Sequence, residues 1–193
     1  MDIKRTEKKL REAQCFLGYL RSHASTPFDK REPFDFYLSA FLNATYSVQE
    51  VLQVETKIKE LVYKQWYKDW KAKLEANDQK LFPFMIGEKK GSGQRHKEVH
   101  ATGAEYDKKG TEISLFDYDT LCGDRCGRFE IFGSPYSLTG TAPPTFTRHE
   151  QLFQLDGEPK EVVSVCEKWL DLLMRLVHDF CTGEPWKRRK PTP

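Results

Sequence analysis

The chain has 193 residues, 38% hydrophobic and 31% charged, with 31 Lys and Arg against 29 Asp and Glu and a formal net charge of +2. That length fits one domain, or one domain with an insertion, and is enough for a real core. No run approaches the roughly 20 apolar residues of a membrane span, and so small a net charge is no argument by itself for a nucleic-acid partner, which would have to be met by local clusters.

Residues 3–23 are expected to form a helix, with Leu10, Ala13, Leu17 and Leu20 as its apolar stripe. The start, Met1-Asp2-Ile3-Lys4-Arg5, is charged and does not look like an apolar leader. After a loop containing Pro27, a long helix is predicted from Glu32-Pro33 to about Lys57. Phe34, Leu38, Phe41, Val48 and Leu52 line one side of it, and Tyr37, Ala40, Ala44, Val51 and Val54 another. A helix apolar on two faces is central to a bundle or shared with a partner, so this is the expected dimer element. A third helix is predicted over 59–76, its stripe Val62, Trp66, Trp70 and Leu74 flanked by Tyr63 and Tyr67. Such a stripe is read as packing, not as a base-stacking platform. Asn77-Asp78 would cap a short segment through Leu81, Phe84 and Ile86, with Pro83 limiting its start.

Residues 104–156 change texture and are read as a small antiparallel sheet inserted between helices. Strands are expected at Thr111–Tyr118, Arg128–Phe132 and Phe146–Leu155. Cys122 and Cys126 lie between the first two in a Cys-x3-Cys spacing with no second pair, which reads as a turn and not as a metal site. The last helix is predicted from Pro159 to near Gly183, on Val162, Val165, Cys166, Trp169, Leu173, Leu176 and Phe180. His23 and His178 fall near helix C-termini, where a cation suits the dipole, and His149 reads as structural or exposed. Residues 1–185 are thus taken as one domain and 186–193 as a basic tail. The five cysteines, odd in number and without a secretory leader, suggest reduced thiols and a cytoplasmic location.

One stretch concentrates chemistry. Gly93-Gln94-Arg95-His96-Lys97-Glu98-Val99-His100 follows a loop of glycine and lysine, Gly87-Glu-Lys-Lys-Gly-Ser-Gly. The glycines disfavour helix, so a helical turn is expected to start near Gln94 or Arg95. Arginine offers a permanently charged fork of donors that fits phosphate, and histidine moves protons near neutral pH. Together they are a minimal kit for cutting a phosphodiester without a metal or cofactor. His96 and His100 share the spacing of zincin ligands, but Lys97 stands where that motif needs glutamate, and Glu98 comes one residue late. Lys89, Lys90 and Lys97 are the candidate nucleic-acid contacts.

Arg95-His96-x-x-x-His100 resembles the Arg-x4–6-His motif of the HEPN superfamily (higher eukaryote and prokaryote nucleotide-binding domains). The flanks Phe34–Ala44 and Val162–Leu173 add to the resemblance. It implies a mainly α, up-and-down helical bundle, here with the inserted sheet, and a homodimer. It also implies a metal-independent RNA endonuclease in which Arg95 and His100 are catalytic and His96 orients them. A toxin–antitoxin or defence role follows from the same likeness, with an antitoxin or a nucleotidyltransferase-type protein as possible partner. The alternatives are a non-catalytic module binding a nucleotide or a protein, and a helical scaffold without an active site. No membrane partner is implied.

Overall fold

Apolar periodicity decides the first helix pair. The computed structural model describes residues 2–25, 30, 32–87, 93–95, 106–114 and 145–183. Helix α1, Lys4–His23, buries Thr6, Ala13, Leu17 and Leu20. Helix α2, Glu32–Thr56, buries all five residues of its predicted core side, together with Leu42, Ala44 and Thr45. Its second face is only partly covered. Tyr37, Ala40 and Val51 are half-buried, and Val54 is 64% exposed.

The two helices run antiparallel, and each end carries its own fastener. The first N–H groups of a helix have no carbonyl to meet, and Ile3 at the start of α1 has no polar side chain to offer. Glu55, at the far end of α2, supplies the acceptor. Its carboxylate takes the backbone N–H of Arg5 at 2.8 Å, and the N–H and hydroxyl of Thr6 at 2.9 Å each. Partial burial alone would raise the Glu55 pKa, but these hydrogen bonds and the Arg5 charge outweigh it and hold the carboxyl below its ordinary range. At the opposite end Tyr19 stacks on Tyr37, with centroids 4.6 Å apart.

The helix expected over 59–76 stops early. Helix α3 spans Glu60–Lys71, and the chain then tightens, Lys73 N–H bonding the Trp70 carbonyl and Leu74 N–H the Lys71 carbonyl at 3.1 Å each. Helix α4, Ala76–Met85, is entered from an extended Glu75, two residues ahead of the predicted Asn77-Asp78 cap, and holds Pro83 within it. On α3 the buried residues are Tyr63 and Trp70, while Val62 and Trp66 of the predicted stripe are half-buried. The C-terminal half of the predicted stripe, Trp70 and Leu74, is buried as expected, while at the N-terminal half the flanking Tyr63 is the buried residue. Trp66 meets Phe180 edge-on at 4.9 Å, Phe82 meets Trp169 at 5.0 Å, and Tyr63 packs on Phe180 at 5.8 Å. The Trp70 indole N–H donates to Asp179 at 2.9 Å, so its polar edge is satisfied. These aromatics pack, as expected of them.

Strands β1, Asp107–Ser114, β2, Thr145–Leu155, and β3, Glu158–Glu161, form an antiparallel sheet in that order. Asp107 lies opposite Leu152 and Ser114 opposite Thr145, while Leu152 faces Glu161 on the other edge. The last pair is joined by Asp156-Gly157, both at positive φ (56° and 79°), the conformation that an Asp-Gly hairpin turn requires. The sheet therefore runs on to Glu161, and Pro159 lies in an edge strand, where its missing N–H is tolerated, instead of opening the last helix. The predicted strand Arg128–Phe132, the turn with Cys122 and Cys126, and the tail 186–193 lie outside the described residues.

Helix α5, Val162–Gly183, buries eleven residues, including every one of its predicted stripe. Arg21 reaches Glu167 at 2.7 Å and Gln14 bonds the Met174 sulfur at 3.5 Å, so α5 runs antiparallel to α1. Phe153 of β2 is fully buried and packs edge-on against Phe84, which ties the sheet to α4. The described chain is mainly helical with a small antiparallel sheet, and no described helix is long and apolar enough to cross a membrane.

Candidate functional site

The site is built where the chain crosses the end of α4. Ile86 N–H still bonds the Phe82 carbonyl at 3.0 Å, and Gly87 then turns to φ +91°, which ends the helix. Gly93, at φ +87°, returns against that same point. A Cβ on Gly93 would lie 2.3 Å from the Gly87 nitrogen and 2.5 Å from the Ile86 carbonyl carbon. Only glycine allows backbone to meet backbone this closely, and only glycine takes this φ without strain. The crossing fixes the two residues that follow. Gln94 and Arg95 have helical geometry, as expected for a turn beginning there, and Gln94 is buried.

Arg95 is half-buried and leans onto α2. Its guanidinium carbon lies 3.8 Å from the centroid of the Tyr46 ring, a face-on cation–π contact. Its Nε is buried and has no hydrogen-bond partner among the described residues. No described carboxylate forms an ion pair with it. Glu50 lies one turn beyond Tyr46 on α2, and its charge acts on the Tyr46 phenol. Burial pushes the Tyr46 phenol up, the Glu50 charge and hydrogen bond push it further, and Arg95 pulls only weakly the other way. The phenol is thus neutral, and the cation on it keeps its charge unpaired within this group. Chemically, the assembly presents an arginine poised for an anion.

Of the predicted site residues, Arg95 is placed here. His96, His100, Lys89, Lys90 and Lys97 lie outside the described residues. His23 is half-buried and its ring Nδ1 sits 2.9 Å from the Tyr19 carbonyl, a contact within its own helix. His178 is exposed on α5. The backbone of His149 stands opposite Gly110. Among the described residues no three His, Cys, Asp or Glu side chains gather into a set that could hold a metal ion. Cys15, Cys166 and Cys181 are free thiols, and burial raises that of Cys166.

Tyr46 and Glu50 were missed by sequence reasoning. A signal existed. Glu50 is the single charged residue between Phe36 and Val54, and Tyr46 precedes it by one helical turn.

A concavity of about 860 Å³ lies between α4, the β2–β3 turn and α5. Its charges largely satisfy one another, through Lys80–Asp156 at 2.7 Å, Lys160–Glu158 at 2.6 Å and Arg175–Asp78 at 3.6 Å. Neither Arg95 nor Tyr46 lines it. Compared with protein-family models, curated proteins and solved structures, the chain matches none.

Proposed function

We propose that the chain is a HEPN-like, metal-independent RNA endonuclease, acting as a cytoplasmic homodimer in a toxin or defence setting. The observation that carries this reading is Arg95, a half-buried cation resting on a neutral ring, without a described counter-ion and with a buried, unpartnered Nε–H. Leaving a donor buried and unpaired is costly unless an anion comes to meet it. The motif arginine is also followed, five residues on, by His100. The helix-rich architecture, with its sheet set between α4 and α5, supports the bundle that the resemblance implies.

In this reading Arg95 holds the scissile phosphate and stabilises the charge that develops on it. His100 removes the proton of the ribose 2′-hydroxyl, and the 2′-oxygen attacks phosphorus. The bond to the 5′-oxygen breaks, and the leaving oxygen takes a proton from a protonated imidazole. The products are a 2′,3′-cyclic phosphate and a 5′-hydroxyl. His96 keeps the pair oriented, and Lys89, Lys90 and Lys97 hold the strand.

The test is cleavage of RNA by the full chain in excess chelator, with product ends identified. Arg95→Ala and His100→Ala should each lower the rate by about 10²–10⁴-fold while the thermal transition stays in place. Cleavage that survives both substitutions would refute the proposal.

A further inference from the structure

We infer that Tyr46 is the positioning residue for Arg95: its ring face fixes the plane of the guanidinium and leaves the N–H edge to engage a phosphate. The inference rests on the reading of Arg95 given above and assigns a residue that the motif does not contain.

An arginine can be held in place by a carboxylate or by a ring, and the two differ in what remains. A carboxylate occupies two of the five N–H donors and cancels the charge. A ring takes up the face of the guanidinium and spends no in-plane donor. With the centroid 3.8 Å from the guanidinium carbon, the second arrangement is present. The platform itself is stiff. Tyr46 lies within the 25-residue α2. On the other side the Gly93 crossing fixes the backbone of Arg95. Two independent holds, one on the main chain and one on the guanidinium, leave the side chain little freedom to lose when an anion binds.

The experiment uses the full chain with Tyr46→Phe, Tyr46→Trp and Tyr46→Leu. A ring is kept in the first two and lost in the third. In RNA cleavage, kcat should fall about 10–100-fold for Tyr46→Leu with KM little changed, as expected when a transition-state group is misplaced by about an ångström. Phe and Trp should stay within about threefold of the parent, since both offer the same negative ring face. In an Arg95→Ala background, Tyr46→Leu should cost nothing further. Independent, multiplying losses would overturn the inference, as would Tyr46→Phe being as damaging as Tyr46→Leu.

A readout without chemistry separates this inference from the endonuclease reading. The Arg95 Nε–H resonance should carry a ring-current shift that is kept in Tyr46→Phe and lost in Tyr46→Leu. Inorganic pyrophosphate should move that resonance with about tenfold weaker affinity in Tyr46→Leu than in Tyr46→Phe. If the parent cuts no RNA yet both effects appear, the endonuclease reading fails and the platform stands. A resonance indifferent to the loss of the ring ends the platform.

Discussion

Aromatic side chains do two different things in this molecule. Around Trp169 the rings of Tyr63, Trp66, Tyr67, Trp70, Phe82 and Phe180 meet other rings edge-on or stacked, and the Trp70 indole N–H is matched by Asp179. At Tyr46 a ring meets a guanidinium, and an N–H of that guanidinium has no partner among the described residues. The first region packs ring on ring, and the second sets a ring against a charge. Stability and binding capacity are therefore carried by different rings. Loss of a core ring should act on folding, and loss of the Tyr46 ring on what Arg95 can hold.

The strongest way to break that division is at its centre. Trp169→Ala empties a fully buried site and should cost about 3–5 kcal/mol in denaturant unfolding. A loss under about 1 kcal/mol would mean that the ring cluster does not carry the fold in the way its geometry suggests. Gly93→Ala should come next. The added Cβ meets backbone at 2.3 Å and also faces a positive φ, so the crossing must open, at about 1–3 kcal/mol. The sharper signature is local, since the Arg95 ring-current shift should vanish in this variant even where it folds. Retention of the shift would show that Tyr46 alone places the arginine.

The smallest effect lies outside both regions and serves as a control. Glu55→Gln weakens the cap on α1 and should cost about 1 kcal/mol near neutral pH, read from the unfolding midpoint. The folded pKa of Glu55 lies below that of the unfolded chain, so its contribution is present above the ordinary carboxylate range, near 4.5, and is lost as pH falls through the folded value. The parent and Glu55→Gln should therefore converge in stability on acidification, while the Arg95 resonance in both stays unchanged at neutral pH. A constant gap down to low pH would remove the ionised cap from the account.

Much of the helical frame was legible in the residues. The stripes of α1, α2 and α5 are long and regular, and burial follows them almost residue by residue. Reading failed where local signals competed. In α3 the predicted stripe holds at Trp70 and Leu74, but nearer the start of the helix the fit of large rings buries Tyr63 more deeply than Val62 or Trp66. Pro159 suggested a helix start, whereas the Asp156-Gly157 turn just before it had already committed the chain to a hairpin. The tight turn closes at short range and leaves the proline an edge position that it can occupy.

By itself the sequence determined the chemistry on offer at the site: an arginine, two histidines and their glycine-rich approach, in a fixed order. It also determined that three long helices would bury continuous apolar stripes, because a period of 3.6 residues is a local property of the chain. Only the tertiary structure decided that Gly93 passes over the end of α4 and that Arg95 comes to rest on Tyr46. The second of these joins residues some fifty positions apart, from Tyr46 to Arg95. No periodicity reports on contacts of that range, since they exist only once the helices have come together.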